Sequence, residues 1–330
     1  MVAQQSAPDY NEGQPFSGRY VLRAVFPLKK KMVLFSSVLS AHYIFLDWLL
    51  CIWHMKNHQK KIDKAIRQAA TEAAIINNTD IPGTELTEAQ LQQVNNLNLE
   101  NMELTDLTPL SGLRNIKHLR LGGNQIKDLT PLAELINLEG LGLYENLIRD
   151  LTPLKGLIKL ERILLDNNQI EDLSPLKWVK SLRRIGLTGN NISNLKPLAS
   201  LQQMEILGLS DNRISDISPL KGLQNLQDLY LENNQIEKVR GLENLYQLKT
   251  LTLSRNRITN LTFTSKMDNL VDLDISGNKI SDLSPLAALP SLLKLDVCDN
   301  TDLLPIQLKK LKQAMPRKWL GMKTICTIHH

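Results

Sequence analysis

The sequence has few cysteines and few aromatic residues, and it lacks the short motifs of common enzyme active sites. Its 330 residues include three cysteines, and Cys51, Cys298 and Cys326 are too few and too scattered to predict a disulfide framework or a zinc site. They leave the redox compartment open. There is no Gly-rich phosphate loop, no H-E-x-x-H and no G-x-S-x-G segment. We therefore predict that the protein is not an enzyme, holds no cofactor or metal ion and has no small-molecule substrate.

The charge balance also gives little indication of a nucleic-acid partner. The formal net charge is +5, but much of the excess comes from residues 19–67 and from the tail that begins at Lys309. No basic stripe interleaved with aromatic residues runs between these flanks, as a nucleic-acid-binding face would require. We predict no binding to nucleic acid.

What the sequence does contain is a strict internal period. Nine asparagines recur 22 residues apart without a slip, and such a period is typical of a solenoid in which each repeat packs only on its neighbours. A side-chain amide at a bend can serve both the donors and the acceptors of the turning backbone. We therefore predict a structural role for this set, the ladder asparagines, with a ligand-binding ladder as the alternative. They are Asn124, Asn146, Asn168, Asn190, Asn212, Asn234, Asn256, Asn278 and Asn300.

One repeat, residues 116–135, shows the expected local structure. Leu119 and Leu121 alternate with period two, which predicts a short strand whose leucines point inward. Pro131 ends the regular strand because proline cannot supply a ladder amide. Each repeat is therefore predicted to be a strand, a turn and a short return along the opposite side.

The repeat resembles a known family. Leu119-Arg-Leu-Gly-Gly-Asn-Gln-Ile-Lys-Asp-Leu-Thr-Pro-Leu132 and Ile275-Ser-Gly-Asn-Lys-Ile-Ser-Asp-Leu-Ser-Pro-Leu286 are similar to the leucine-rich repeat of bacterial internalin-type proteins and of regulators of the type-one protein phosphatase. The resemblance covers residues 91–304, a span of about ten repeats. It implies an α/β repeat solenoid, a horseshoe with a parallel concave β-sheet and a helical cap at each end. Such repeats imply a binding surface without naming the partner.

The flanks of the repeats are predicted to be helical caps. Residues 54–90 form the helical linker and N-terminal cap, because apolar residues recur there at helical spacing. Residues 305–330 form the C-terminal cap helix and tail, with a helix that begins at Pro305. Within the repeats, Gly241 and Phe263-Thr264 replace the usual proline and proline-leucine. We therefore expect the return segments between residues 238 and 267 to be built differently.

The N-terminal region contains an apolar run after a basic segment, residues 1–31, that we predict to be disordered. Residues 32–53 hold a single charged residue, Asp47, and are long enough as a helix to cross a bilayer. We predict a single membrane-spanning helix, with an apolar helix packed on the first repeat and a cleaved signal peptide as alternatives. Five lysines or arginines lie in the 20 residues on each side, so the positive-inside rule does not determine the side of the membrane.

The outward-facing residues of the strands form columns on the concave face, and this face is the predicted site for a protein partner. Basic residues gather in the first half and acidic residues in the second, with apolar and aromatic residues expected to be exposed between them, a composition typical of interaction hot spots. The candidate residues are His118, Arg120, Tyr144, Arg162, Leu164, Arg184, Ile206, Asp228, Tyr230, Glu232, Asp272, Asp274 and Asp296.

Glycines on the same face suggest a close approach of another chain. Gly140, Gly142, Gly186 and Gly208 lie in predicted strands, where glycine is disfavoured unless something approaches the backbone. We interpret them as room for a docked chain or helix. Plain solubility is the alternative for the individual charges, and calcium binding is an alternative for the acidic cluster.

These patterns predict a protein–protein interaction scaffold, associated with a membrane through residues 32–53. Two alternatives remain open. The first is a soluble, cytoplasmic regulatory subunit of an enzyme such as a protein phosphatase, and the second is a cell-surface adhesion or recognition module.

Overall fold

The repeats form one continuous structure in the computed structural model. The structure describes residues 94–314 without a gap, residues 56, 60–62 and 64 before them, and the backbone of residues 323–324 after them. The predicted disordered segment 1–31, the apolar run 32–53 and most of the predicted cap 54–90 lie outside the described residues.

Ten three-residue strands, one per repeat, build an open parallel sheet. Each strand pairs with the next in chain order, and a register shift of one repeat aligns Leu97 with Leu119 and Leu119 with Leu141. The inward leucines are buried, as the period-two pattern predicts. The strands, β1 to β10, are Asn96–Asn98, His118–Arg120, Gly140–Gly142, Arg162–Leu164, Arg184–Gly186, Ile206–Gly208, Asp228–Tyr230, Thr250–Thr252, Asp272–Asp274 and Lys294–Asp296.

The return segments on the opposite side are short 3-10 helices. In most repeats an aspartate starts the helix: the Asp128 carboxylate, for example, accepts the backbone N–H of Thr130 at 2.8 Å. This local bond begins the turn, and the following proline fixes its backbone angle. The 3-10 helices within residues 94–314 are Thr108–Leu110, Thr130–Leu132, Thr152–Gly156, Ser174–Trp178, Lys196–Ser200, Ser218–Gly222, Leu242–Asn244, Thr262–Lys266 and Ser284–Ala288.

Of the two repeats that lack the proline, only one differs clearly. Lys238 replaces the helix-starting aspartate, and the helix begins only at Leu242, after Gly241 with φ of 101°. The expectation was wrong for Phe263-Thr264, where the usual five-residue helix forms. Phe263 is buried in place of proline, and the buried hydroxyl of Thr264 donates to the Leu261 carbonyl at 2.9 Å. The substitution is therefore accommodated without an unpaired polar group.

The ladder asparagines are buried at the bends and connect neighbouring repeats. Asn190 Nδ2 donates to the carbonyl of Leu165 in the preceding repeat and to that of Leu187 in its own repeat, both at 3.0 Å. Its Oδ1 accepts the backbone N–H of Ile170 at 3.0 Å. The other eight make the equivalent donor bonds. Each side chain thus satisfies buried backbone groups that the bend would otherwise leave unpaired.

Both ends of the described core are partly covered by helix. At the front, the described residues of 56–64 are helical, Ile62 is buried in the core and Lys61 Nζ donates to the Met102 carbonyl at 2.9 Å. At the back, a helix spans Pro305–Ala314 and buries Leu311 against the last repeat. A further two-residue strand, Lys323–Thr324, pairs with β10. The result is a leucine-rich-repeat horseshoe, as the resemblance implies.

Candidate partner-binding face

The register of the sheet places the candidate residues in straight columns across the concave face. Arg162 is the direct neighbour of Arg184, and Ile206 is the neighbour of both Arg184 and Asp228. In parallel sheets adjacent strands lie about 4.8 Å apart. The basic residues, the central apolar residues and the first acidic residue therefore form a continuous surface.

The basic end of this face carries three arginines that have no partner among the described residues. Arg120 and Arg162 are exposed and Arg184 is half-buried. None of the three forms an ion pair or a side-chain hydrogen bond within the described part of the chain, whereas arginines elsewhere on the repeats do, as Arg255 does with Glu232 at 3.8 Å. We call Arg120, Arg162 and Arg184 the arginine cluster.

The acidic end is partly neutralised by its own neighbours. The Asp272 carboxylate forms a salt bridge with Lys294 at 2.9 Å, and Asp274 accepts the backbone N–H and the hydroxyl of Ser276. Asp296 accepts the N–H of Cys298 at 2.9 Å. Desolvation, reinforced by the charges of Asp274 and Asp299, raises the pKa of Asp296 above its usual value. The negative charge of this end is thus concentrated on closely spaced carboxylates.

The central residues divide into two groups. Tyr144, Leu164 and Ile206 are half-buried and offer part of their surface. Tyr230, which the sequence places among the exposed residues, is buried to 6 % exposure. The expectation for Tyr230 was wrong, because period-two alternation assigns a side to each residue but does not show how far a large ring lies down among its neighbours.

Glycine occupies several positions of this face because side chains of the same chain lie against its backbone, and not because a docked chain needs the room. A Cβ built on Gly122 would lie 2.3 Å from the Tyr144 ring, and one on Gly186 would lie 2.4 Å from Asp166 Oδ2. On Gly140 it would lie 2.8 Å from His118 Nδ1. The close approach is therefore made by the chain's own side chains. Gly142 and Gly208 have room for a methyl group, with nearest atoms at 3.8 and 3.5 Å, so no side chain of the described residues accounts for these two, and for them the docked chain stays a prediction.

Asp166 is a residue of this face that sequence reasoning did not single out. It lies half-buried between the basic and the central residues, and its Oδ1 accepts the Thr188 N–H at 2.8 Å. Desolvation raises the pKa of this carboxyl to about 6, against the opposing hydrogen bonds from Thr188. The signal in the sequence was Gly186, which makes room for Asp166 but does not identify it.

Cys298 on the last column is disulfide-bonded. The sequence predicts no disulfide framework, and this single bond is compatible with that prediction, although the sequence did not identify Cys298 as bonded. Its side chain is half-buried at the acidic end of the face.

Within residues 94–314 and the few described residues on either side, no group of three or more His, Cys, Asp or Glu side chains is arranged to hold a metal ion. No helix in the described ranges combines the length and apolar character needed to cross a membrane, and the predicted span 32–53 lies outside those ranges.

Comparison with known proteins agrees with the repeat architecture. A leucine-rich-repeat family model matches residues 202–258, and a two-copy leucine-rich-repeat model matches residues 136–178 and 180–222. No curated protein sequence gives a significant match.

Solved structures give the same result over a longer stretch. Internalin C2 from Listeria monocytogenes has 27 % identity and a TM-score of 0.61, with 66 % of this chain and 92 % of that chain covered. A second Listeria monocytogenes internalin, internalin F, has 24 % identity and a TM-score of 0.54, covering 79 % and 90 %. The ectodomain of a plant receptor kinase from Arabidopsis thaliana, in complex with Casparian strip integrity factor 2, has 23 % identity and a TM-score of 0.56, covering 67 % and 31 %. With its 22-residue period, its asparagine ladder and these matches, the chain is a leucine-rich repeat protein of the internalin-like type.

Proposed function

We propose that the protein is an interaction scaffold whose concave face binds another protein with the opposite charge arrangement. The observation that carries this proposal is the arginine cluster, three guanidinium groups on one side of the sheet without a carboxylate partner among the described residues. Arginines of this kind are strong donors to carboxylates and are enriched at binding hot spots. The partner would place acidic groups over the arginine cluster and basic groups over Asp274 and Asp296.

The half-buried residues between the two charged ends support the same proposal. Tyr144, Leu164 and Ile206 provide apolar contact area at the centre of the face, where hot spots concentrate. The flanking charges would increase the association rate and fix the orientation of the partner more than they would add affinity.

A capture experiment with a matched control tests this function. Bait carrying Arg162→Glu and Arg184→Glu should lose the partner that wild-type bait captures from an extract of the source cells. Bait carrying Arg213→Glu and Arg240→Glu has the same net charge change at two exposed arginines off the concave face and should retain it. Equal capture by all three baits would remove the proposal.

We further propose that residues 32–53 anchor the scaffold in a membrane, on the basis of their length and apolar composition. The disulfide at Cys298 favours an oxidising compartment for the repeats, and hence cell-surface recognition over a cytoplasmic phosphatase regulator. Fractionation of the chain with and without residues 1–55 tests the anchor. Protease accessibility of the repeats on intact cells then distinguishes the two compartments.

A further inference from the structure

The side of the solenoid where the 3-10 helices turn back toward the strands carries an exposed apolar row. Ile136, Ile158 and Trp178 are 53 %, 65 % and 59 % exposed, although large apolar residues at other non-core positions of the repeats are rare. Ile136 and Ile158 hold the same slot of consecutive repeats, 22 residues apart. We call these three residues the lateral row.

Trp178 continues the row because its position in the repeat lies next to the position that isoleucine holds in the preceding repeat. Arg114 and Glu134, which stand in the same relation two repeats earlier, form a salt bridge. A Cβ on Gly222 would likewise lie 3.6 Å from Gln202 Nε2, in the same pair of slots farther along. Ile158 and Trp178 are therefore surface neighbours, and the lateral row is one strip of apolar surface.

Lysines surround the lateral row. Lys155, Lys159, Lys177 and Lys180 lie within three residues of Ile158 or Trp178 in the chain, and all four are exposed. The Lys177 ammonium lies 5.0 Å from the centre of the Trp178 ring, in a cation–π contact. The nearest acidic residue of these slots, Glu134, is already paired with Arg114. Glu139, three residues after Ile136, is paired with Lys117, and Glu161, three residues after Ile158, is exposed. The rim therefore carries a net positive charge.

The combination of isoleucine and tryptophan is specific to the early repeats. In later repeats the isoleucine slot is held by Gln202, Gln224 and Tyr246, which is 43 % exposed, and the tryptophan slot by Ser200 and Gly222. The fold itself thus does not need apolar residues at these positions. Their presence in three consecutive repeats calls for an external contact.

We propose that the lateral row and its four lysines form a docking surface for an anionic lipid membrane. Tryptophan and isoleucine can enter the headgroup region while lysines reach anionic headgroups, which is the chemistry of interfacial membrane binding. A second copy of the chain fits less well. Three partly exposed side chains present on the order of a few hundred Å², below the roughly 800 Å² per partner of a stable interface, and facing copies would bring eight lysines together. The surface lies apart from the concave face, so its proposal does not depend on the partner-binding function.

The test follows Trp178 itself, because the full chain can also associate with lipid through residues 32–53. The tryptophan emission of wild type minus that of Trp178→Phe is recorded with phosphatidylcholine vesicles, with and without phosphatidylserine, and with brominated lipid tails as quencher. With phosphatidylserine, the Trp178 emission should shift to the blue and be quenched. An unchanged Trp178 signal would overturn the proposal, whether or not the chain is attached to the vesicle.

Matched variants separate the charge and the apolar contributions. Lys155→Glu with Lys177→Glu, read through the same Trp178 signal, should weaken the response to phosphatidylserine at least about tenfold. Lys221→Glu with Lys266→Glu, at two exposed lysines of later repeats that hold the slot of Lys155 and Lys177 and the slot of Trp178, should leave it unchanged. Ile136→Gln with Ile158→Gln, which copies the residues of later repeats, should fold normally and reduce the response. Equal responses of all variants would contradict lipid docking at this surface. A wild-type dimer in light scattering that the two glutamine substitutions dissociate would also contradict it, because the surface would then bind a second copy of the chain.

Discussion

The ring of Tyr144 lies against the backbone of Gly122, one repeat earlier, so closely that a Cβ on Gly122 would be 2.3 Å from the ring. The concave face is therefore shaped by side chains that lean across from one strand to the next. His118 against Gly140 and Asp166 against Gly186 repeat the arrangement. A bulky side chain on one repeat and the glycine on the neighbouring repeat that accommodates it therefore form one unit of this surface.

This pairing predicts that the glycines of one column are not equivalent. Gly186→Ala should lower the free energy of unfolding by about 1 to 3 kcal/mol, because its methyl group would collide with the Asp166 carboxylate, which the Thr188 N–H holds in place. Gly208→Ala, whose nearest atom is 3.5 Å away, should change it by less than about 0.5 kcal/mol. Urea unfolding followed by circular dichroism measures both.

The double variant Gly186→Ala with Asp166→Ala is the control. Removing the obstructing carboxylate should recover much of the loss, giving a clear coupling energy between the two sites. Additive losses would mean that Asp166 is not what excludes a side chain at Gly186.

The fold was accessible from the sequence because its determinants repeat. Leu119-x-Leu121 specifies a strand and Asn124 a bend whatever the neighbouring repeats contain, and nine copies remove the ambiguity that a single short strand would have. The site was less accessible, because it depends on differences between repeats. Whether Tyr230 is exposed, or what fills the space above Gly186, is decided by the side chains of adjacent strands and not by the position of a residue in its own repeat.

The ladder predicts a sharp contrast between two adjacent asparagines. Asn190→Ala removes an acceptor for the Ile170 N–H and a donor to the carbonyls of Leu165 and Leu187. Buried backbone groups are left unpaired, so we expect a loss of about 2 to 4 kcal/mol in the free energy of unfolding. Asn191→Ala, at a half-buried position outside the ladder, should cost less than about 0.5 kcal/mol. Comparable urea midpoints for the two variants would argue against the structural role of the ladder.

The altered return segment, the 3-10 helix Leu242–Asn244, predicts that glycine is required at position 241. Gly241 has φ of 101°, a region that residues with a Cβ avoid, and its N–H donates to the Glu243 carboxylate at 2.6 Å. Gly241→Ala should therefore lower stability by about 1 to 3 kcal/mol. Gly156→Ala, at the end of a regular 3-10 helix with no atom within 4 Å of the added Cβ, should be neutral. Thermal unfolding distinguishes these outcomes, and equal melting temperatures for both variants would show that the φ of Gly241 is not required.

The Asp166 carboxyl predicts a pH dependence of opposite sign to that of the helix-starting aspartates. Its pKa is about 6 in the folded chain, raised by desolvation from the ordinary value of 3.8. As the pH falls from about 7 to about 4, the folded chain takes up a proton at Asp166 that the unfolded chain does not, so this group's contribution raises the free energy of unfolding, by at most about 3 kcal/mol. Asp172, whose pKa is lowered by its hydrogen bonds with Ser174, contributes stability above its unfolded pKa that is lost as the pH falls further.

The measurement is the difference between wild type and Asp166→Asn in urea titrations from pH 4 to pH 7. Asparagine retains an oxygen for the Thr188 N–H but does not titrate, so the variant should gain stability relative to wild type as the pH rises through 6. Asp172→Asn is the control: relative to wild type it should be less stable by a constant amount over this range, and the difference should close only below about pH 4, where Asp172 of the unfolded wild-type chain takes up its proton. If the wild-type and Asp166→Asn curves run parallel over this range, the folded chain does not hold the Asp166 carboxyl near pH 6, and the desolvation inferred for this part of the concave face is wrong.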